Sequence, residues 1–169
     1  MTVCCYVTKH GCFNPPKPNQ RTPSGEAFTR LILEVFRFNG CLLAAGDRLT
    51  QDLGLTSARW QVLGAIDEGP LPVAQISRNM GLSRQAVQRV ADELAAGGFV
   101  AFAENPNHRR AKLAGLTQRG RQALDEITRR QVAWANRITA GIDASMVEAA
   151  ANVLLALRSG IEADTANSG

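Results

Sequence analysis

Apolar positions along this chain keep a helical period in six stretches, interrupted once, after the fourth, by two short runs better suited to strands. From about Glu26, residues Phe28, Leu31, Ile32, Val35, Phe36, Leu42 and Leu43 recur on one face up to Gly46. Thr56 suits the N-cap of a second helix, whose stripe is Trp60, Leu63 and Ile66 and which ends at Gly69-Pro70. A short third helix takes Pro72 in its first turn, aligns Val73, Ile76 and Met80, and stops at Gly81. Ser83 then caps a fourth, with Val87, Val90, Ala91 and Leu94 turned inward and Gly97-Gly98 as its end. Leu82 and Val87 occupy the positions of a hydrophobic staple at its start.

Phe99 to Ala103 and Ala111 to Leu116 read as strands joined by a turn at Asn105-Pro106. Two further helices are predicted, from about Gln118 to Ala140 (Leu124, Ile127, Trp134, Ile138) and from about Ser145 to Arg158 (Met146, Ala150, Val153, Leu154, Leu157). Residues 1–25 carry Pro15, Pro16, Pro18 and Pro23 among polar residues and read as a flexible leader. Residues 161–169 read as a tail. The fold class is mainly α with a small β-hairpin wing, in one domain over 26–160.

At 169 residues, 45% of them hydrophobic, the chain suits a single domain with its own core. No unbroken apolar run approaches the roughly 20 residues needed to cross a bilayer. The amino terminus is a poor signal peptide, so the expectation is a cytoplasmic protein without a membrane partner. The net charge of +4 says little alone, but its distribution says more. Between Arg78 and Arg121 lie eight arginines and lysines against Asp92, Glu93 and Glu104, whereas the stretch from Ser159 has two acids and no base.

Cys4, Cys5 and Cys12 crowd the leader beside His10, with Cys41 further on; no C-x-x-C pair is present, so exposed thiols are favoured over a metal site. No catalytic acid/base or nucleophile set converges in the sequence, and neither an enzyme activity nor a cofactor is expected. A thiol- or metal-responsive sensor working through the leader cysteines stays open as an alternative.

The pattern from Met80 to Thr117 has the layout of a helix–turn–helix followed by a wing. With Val87, Val90 and Leu94 inward, Gln85, Gln88 and Arg89 point outward, and Ser83 and Arg84 lie at the end that enters a major groove first. Glutamine matches N6 and N7 of adenine, and arginine matches O6 and N7 of guanine. Ser83 and the free amides beside it suit a phosphate. Arg109 and Arg110 at the hairpin tip suit a narrow minor groove, with His108 near phosphate. The predicted partner is double-stranded DNA.

The motifs Leu55-Thr56…Trp60-Gln61-Val62-Leu63, Met80-Gly81-Leu82-Ser83-Arg84-Gln85-Ala86-Val87, Asp92-Glu93-Leu94…Gly98-Phe99-Val100, Asn105-Pro106…Arg109-Arg110-Ala111-Lys112-Leu113 and Leu116-Thr117…Gly120 resemble those of the MarR family. The resemblance covers about residues 28–158. It implies a winged helix–turn–helix core at about 55–117 and a homodimer paired through helices at about 27–46 and 118–158. It also implies a palindromic operator, with repression relieved by a small phenolic or lipophilic ligand or by thiol oxidation. The family's recognition contacts fall here on Ser83, Arg84, Gln85, Gln88 and Arg89, and its wing arginine on Arg110. Two positions depart from the family: His108 stands where many members have an aspartate, and Cys41 lies too late in its helix to match the peroxide-sensing cysteine. Arg59, Trp60 and Trp134 are the candidates for a small aromatic effector.

Overall fold

The computed structural model describes residues 20–106 and 111–167, with the backbone alone at two short strands, β1 (Val7–Thr8) and β2 (Gly11–Cys12), which pair antiparallel. Helix α1 spans Pro23–Thr50. It starts earlier than the periodicity predicted because Thr22 caps it, accepting from the Gly25 amide at 3.0 Å, and Pro23 at the first position has the φ a helix needs. It also runs past Gly46, which stays helical and is buried, with the Ser57 side chain packed where a methyl group would otherwise lie.

A 3-10 turn at Gln51–Leu53 leads to α2 (Ser57–Ala65), capped by Thr56 as its sequence implied. Strand β3 (Leu71–Pro72) comes next, then α3 (Val73–Met80) and α4 (Arg84–Ala96). Strands β4 (Val100–Ala103) and β5 (Leu113–Leu116) form the hairpin, and α5 (Gln118–Ile138) and α6 (Ala144–Asn167) end the chain. The sheet has the order β3-β5-β4, antiparallel throughout, with Leu71 opposite Ala114 and Phe102 opposite the same residue on the other side. Strand β3 was not predicted; Pro72 belongs to it and serves as the N-cap of α3 instead of lying in its first turn. Helix α6 likewise continues to Asn167, through the stretch read as a tail.

The core gathers the predicted stripes. Leu63 of α2, Ile76 of α3, Leu94 of α4 and Ile127 of α5 have no exposed surface, and Val87 and Ala91 pack with them. Burying each large aliphatic side chain contributes about 1.5–3 kcal/mol. Two glycines with positive φ redirect the chain around this core. At Gly81 (φ 64°) the Leu82 amide donates to the Ser77 carbonyl at 3.0 Å, and at Gly98 (φ 73°) the Phe99 amide donates to the Leu94 carbonyl at 2.9 Å. Leu82 is about half exposed, so backbone bonds hold that turn where a hydrophobic staple was expected.

Two further contacts bind the long helices to this core. Thr117 caps α5 and also donates its hydroxyl to the Gly98 carbonyl at 2.7 Å, while its amide donates to Phe99 at 3.1 Å. Arg130 of α5 donates to Asp52 at 2.6 and 2.8 Å and to the Leu49 carbonyl at 3.0 Å. Its guanidinium holds the Asp52 carboxyl below the usual carboxylate range. That contact is therefore present above the ordinary aspartate range and lost as pH falls through the lowered value.

Helix α6 is different: every residue of it except Leu157 is exposed. Its most apolar 18-residue window has a mean hydropathy of 1.2, so by length and composition it could cross a membrane. Glu148, Asn152 and Arg158 interrupt its apolar pattern, so it holds no unbroken apolar run of that length.

Glycine at position 120 is required by the Thr117 joint, since a methyl group there would overlap the Phe99 carbonyl. Gly120→Ala is expected to lower stability by about 1–3 kcal/mol, read as a lower urea midpoint at unchanged slope. Gly64→Ala in open helical surface should instead raise it by about 0.4–1 kcal/mol.

Candidate nucleic-acid interface

The site is built on α4, because the inward turn of Val87, Val90 and Leu94 leaves the opposite face of that helix in solvent. Ser83 accepts from the Ala86 amide at 3.2 Å and so caps the helix. Ser83, Arg84, Gln85 and Arg89 are exposed and Gln88 is partly so, which brings all five predicted helix residues onto one surface. The amides of the first turn point out beyond Ser83, giving that end a partial positive charge.

Two acids one turn further along hold the outward side chains. Gln88 donates to Asp92 at 2.8 Å, and Arg89 donates to Glu93 at 3.2 Å. The spacing of four residues puts each pair on one helix face. That signal was in the sequence, although Asp92 and Glu93 were not named as part of the site.

Between α4 and the hairpin lies a cleft of about 360 Å³ lined by Pro72, Val73, Arg84, Gln88, Phe102 and Lys112. Lys112 at the foot of β5 is exposed, and thus extends the basic face from the helix to the wing. His108, Arg109 and Arg110 lie outside the described residues, as do the leader positions Cys4, Cys5 and His10 and the side chain of Cys12. Cys41 is exposed on α1.

The three effector candidates separate. Trp60 and Trp134 line one apolar cleft of about 330 Å³ with Leu42, Leu43, Leu49 and Gln61. Arg59 does not line it. Its Nε and Nη2 donate to Glu93 at 3.4 and 3.2 Å, and its Nη1 donates to the Gly54 carbonyl at 3.1 Å. Neighbours on a helix point about 100° apart, so adjacency to Trp60 did not place Arg59 in the same cleft.

A sequence model described as MarR family matches residues 53–111. The Mycobacterium bovis protein Mb2034c is 36% identical over 124 residues, which are 73% of this chain and 87% of that protein. CouR from Rhodococcus jostii RHA1, solved bound to p-coumaroyl-CoA, is similar with a TM-score of 0.69 and 26% identity, over 75% of this chain and 90% of that one. Sco5413, a MarR family transcriptional regulator from Streptomyces coelicolor, gives a TM-score of 0.70 and 26% identity, over 82% and 97%.

The helix pair α3–α4 and the hairpin β4–β5 beside it define a winged helix–turn–helix protein. The chain belongs to the MarR family of DNA-binding transcriptional regulators.

Removing the cap tests how α4 is presented. Ser83→Ala is expected to cost about 1 kcal/mol of stability in urea, and Ser83→Thr to restore most of it. An unchanged midpoint for the alanine variant would show that the cap does not hold the helix end.

Proposed function

We propose that this regulator is a cytoplasmic repressor that binds an inverted-repeat operator as a homodimer and is released by a small aromatic or lipophilic ligand. The observation that carries the DNA-reading part is the outer face of α4, where Ser83, Arg84, Gln85, Gln88 and Arg89 stand together at the end of the helix that leads into a groove. Arg84, Gln85, Gln88 and Arg89 read base edges, and Ser83 with the first-turn amides holds a phosphate. Arg109 and Arg110 of the wing reach the flanking minor groove.

Dimerisation is supported by the apolar surface left on the long helices. Phe36, Phe38 and Leu33 of α1 are exposed, and so are Met146, Val153, Leu154 and Leu155 of α6. Exposed apolar side chains in this number on two long helices suit an interface. Pairing through these helices sets two copies of α4 about one helical turn, roughly 34–36 Å, apart. The effector part is supported by the apolar cleft holding Trp60 and Trp134, and by the aromatic thioester bound to CouR. Repression is the mode that the family resemblance implies.

A salt titration against operator and scrambled duplexes tests the division between helix and wing. Gln88→Ala is expected to cost about 1–3 kcal/mol on the operator and to relax one base preference at unchanged salt slope. Arg110→Ala should weaken both duplexes and lower the slope by about one phosphate contact per subunit. If both variants altered specificity and slope alike, assigning base reading to the helix would be wrong.

A panel of aromatic carboxylates such as salicylate should quench tryptophan fluorescence saturably and weaken DNA binding. Lack of saturable quenching would leave Trp60 and Trp134 as packing residues.

A further inference from the structure

Glu93 differs from Asp92, the other acid on α4, because its two oxygens are both engaged, and by residues from two helices. Oε1 receives Nη1 of Arg89 at 3.2 Å, while Oε2 receives Nε and Nη2 of Arg59 at 3.4 and 3.2 Å. Arg59 sits in the first turn of α2 and is itself tied to the turn at Gly54 through Nη1. A continuous path of hydrogen bonds therefore runs from that turn, through Arg59 and Glu93, to the guanidinium of Arg89. Side-chain exposure rises along it, from 32% at Arg59 to 36% at Glu93 and 73% at Arg89.

We propose that Arg59 and Glu93 form a brace that fixes the guanidinium of Arg89 for reading guanine; both are positioning residues and touch no base. The inference rests on the reading of Arg89 as a base contact. An exposed arginine explores many rotamers, and ordering it for a two-bond contact to O6 and N7 loses that freedom. An exposed pair four residues apart on one helix restrains an arginine weakly. Here the carboxylate is anchored from a second helix, so it is a fixed point instead of a second mobile chain. Because Glu93 accepts from Nη1, Nε and Nη2 of Arg89 keep N–H donors for the two acceptors of guanine, O6 and N7. Arg59, a candidate for the effector in the sequence, serves specificity in this proposal instead.

The test uses the full-length protein and a pool of duplexes with randomised positions, sequencing the bound fraction. Wild type is expected to enrich guanine at one position of the half-site by roughly tenfold or more, and Arg89→Ala to remove that preference alone. Glu93→Gln and Arg59→Met should each reduce the same preference by about threefold or more, and the double variant Arg89→Ala/Glu93→Gln should be no worse than Arg89→Ala. Affinity for a fixed scrambled duplex and the melting temperature should stay near wild type in each positioning variant.

If Arg89→Ala removes the preference while Glu93→Gln and Arg59→Met keep it, the brace is wrong and the reading of Arg89 stands. If Arg89→Ala changes no base preference, both are wrong. Loss of folding, or an equal loss of preference at all positions in the two brace variants, would make the pair a structural clamp and overturn the proposal.

Discussion

Helix α4 is held at both ends by bonds that close turns, and these fix the angle at which its outer face is presented to solvent. Before it, Gly81 takes the left-handed conformation so that the Leu82 amide reaches back to Ser77, and Ser83 then caps the new helix. After it, Gly98 does the same for Phe99 and Leu94, and Thr117, the cap of α5 just past β5, bonds to the Gly98 and Phe99 carbonyls. With the ends set, the apolar stripe settles which way the helix is rotated. Val87, Val90, Ala91 and Leu94 can be buried together in one orientation, and that orientation puts Gln85 and Arg89 in water.

The joint between the DNA-binding part and the long helices is polar on one side and apolar on the other. Arg130 bonds to Asp52 and to the Leu49 carbonyl, while the Leu49 side chain lines the cleft with Trp60 and Trp134. One residue of α1 thus serves both the fixed contact to α5 and the wall of the cleft. Gly46 brings α1 and α2 together at the same place, with Asp47 accepting from the Ser57 amide at 2.7 Å.

Much of this was legible in the sequence because the informative residues act locally. Thr56, Ser83 and Thr117 cap helices through atoms three residues away, Gly81 and Gly98 end them, and the stripes follow a single period. What was missed depends on partners distant in the chain or on elements too short to show a pattern. Two residues, Leu71 and Pro72, cannot display alternation, and they form a strand only because β5 lies beside them. Proline at position 23 read as a sign of irregular chain, yet behind the Thr22 cap it begins a helix. The partner of Arg59 is Glu93, 34 residues later. The pairs Gln88–Asp92 and Arg89–Glu93, by contrast, were available from their spacing alone.

If α4 enters the major groove and reads bases there, as proposed, guanine N7 reports the contact directly. The most direct measurement is protection of N7 from dimethyl sulfate in operator DNA with and without bound protein. The account predicts two protected clusters centred about 10–10.5 base pairs apart, with the minor-groove N3 of adenine between them left reactive. Unchanged N7 reactivity under saturating protein, or protection confined to the minor groove, would contradict it.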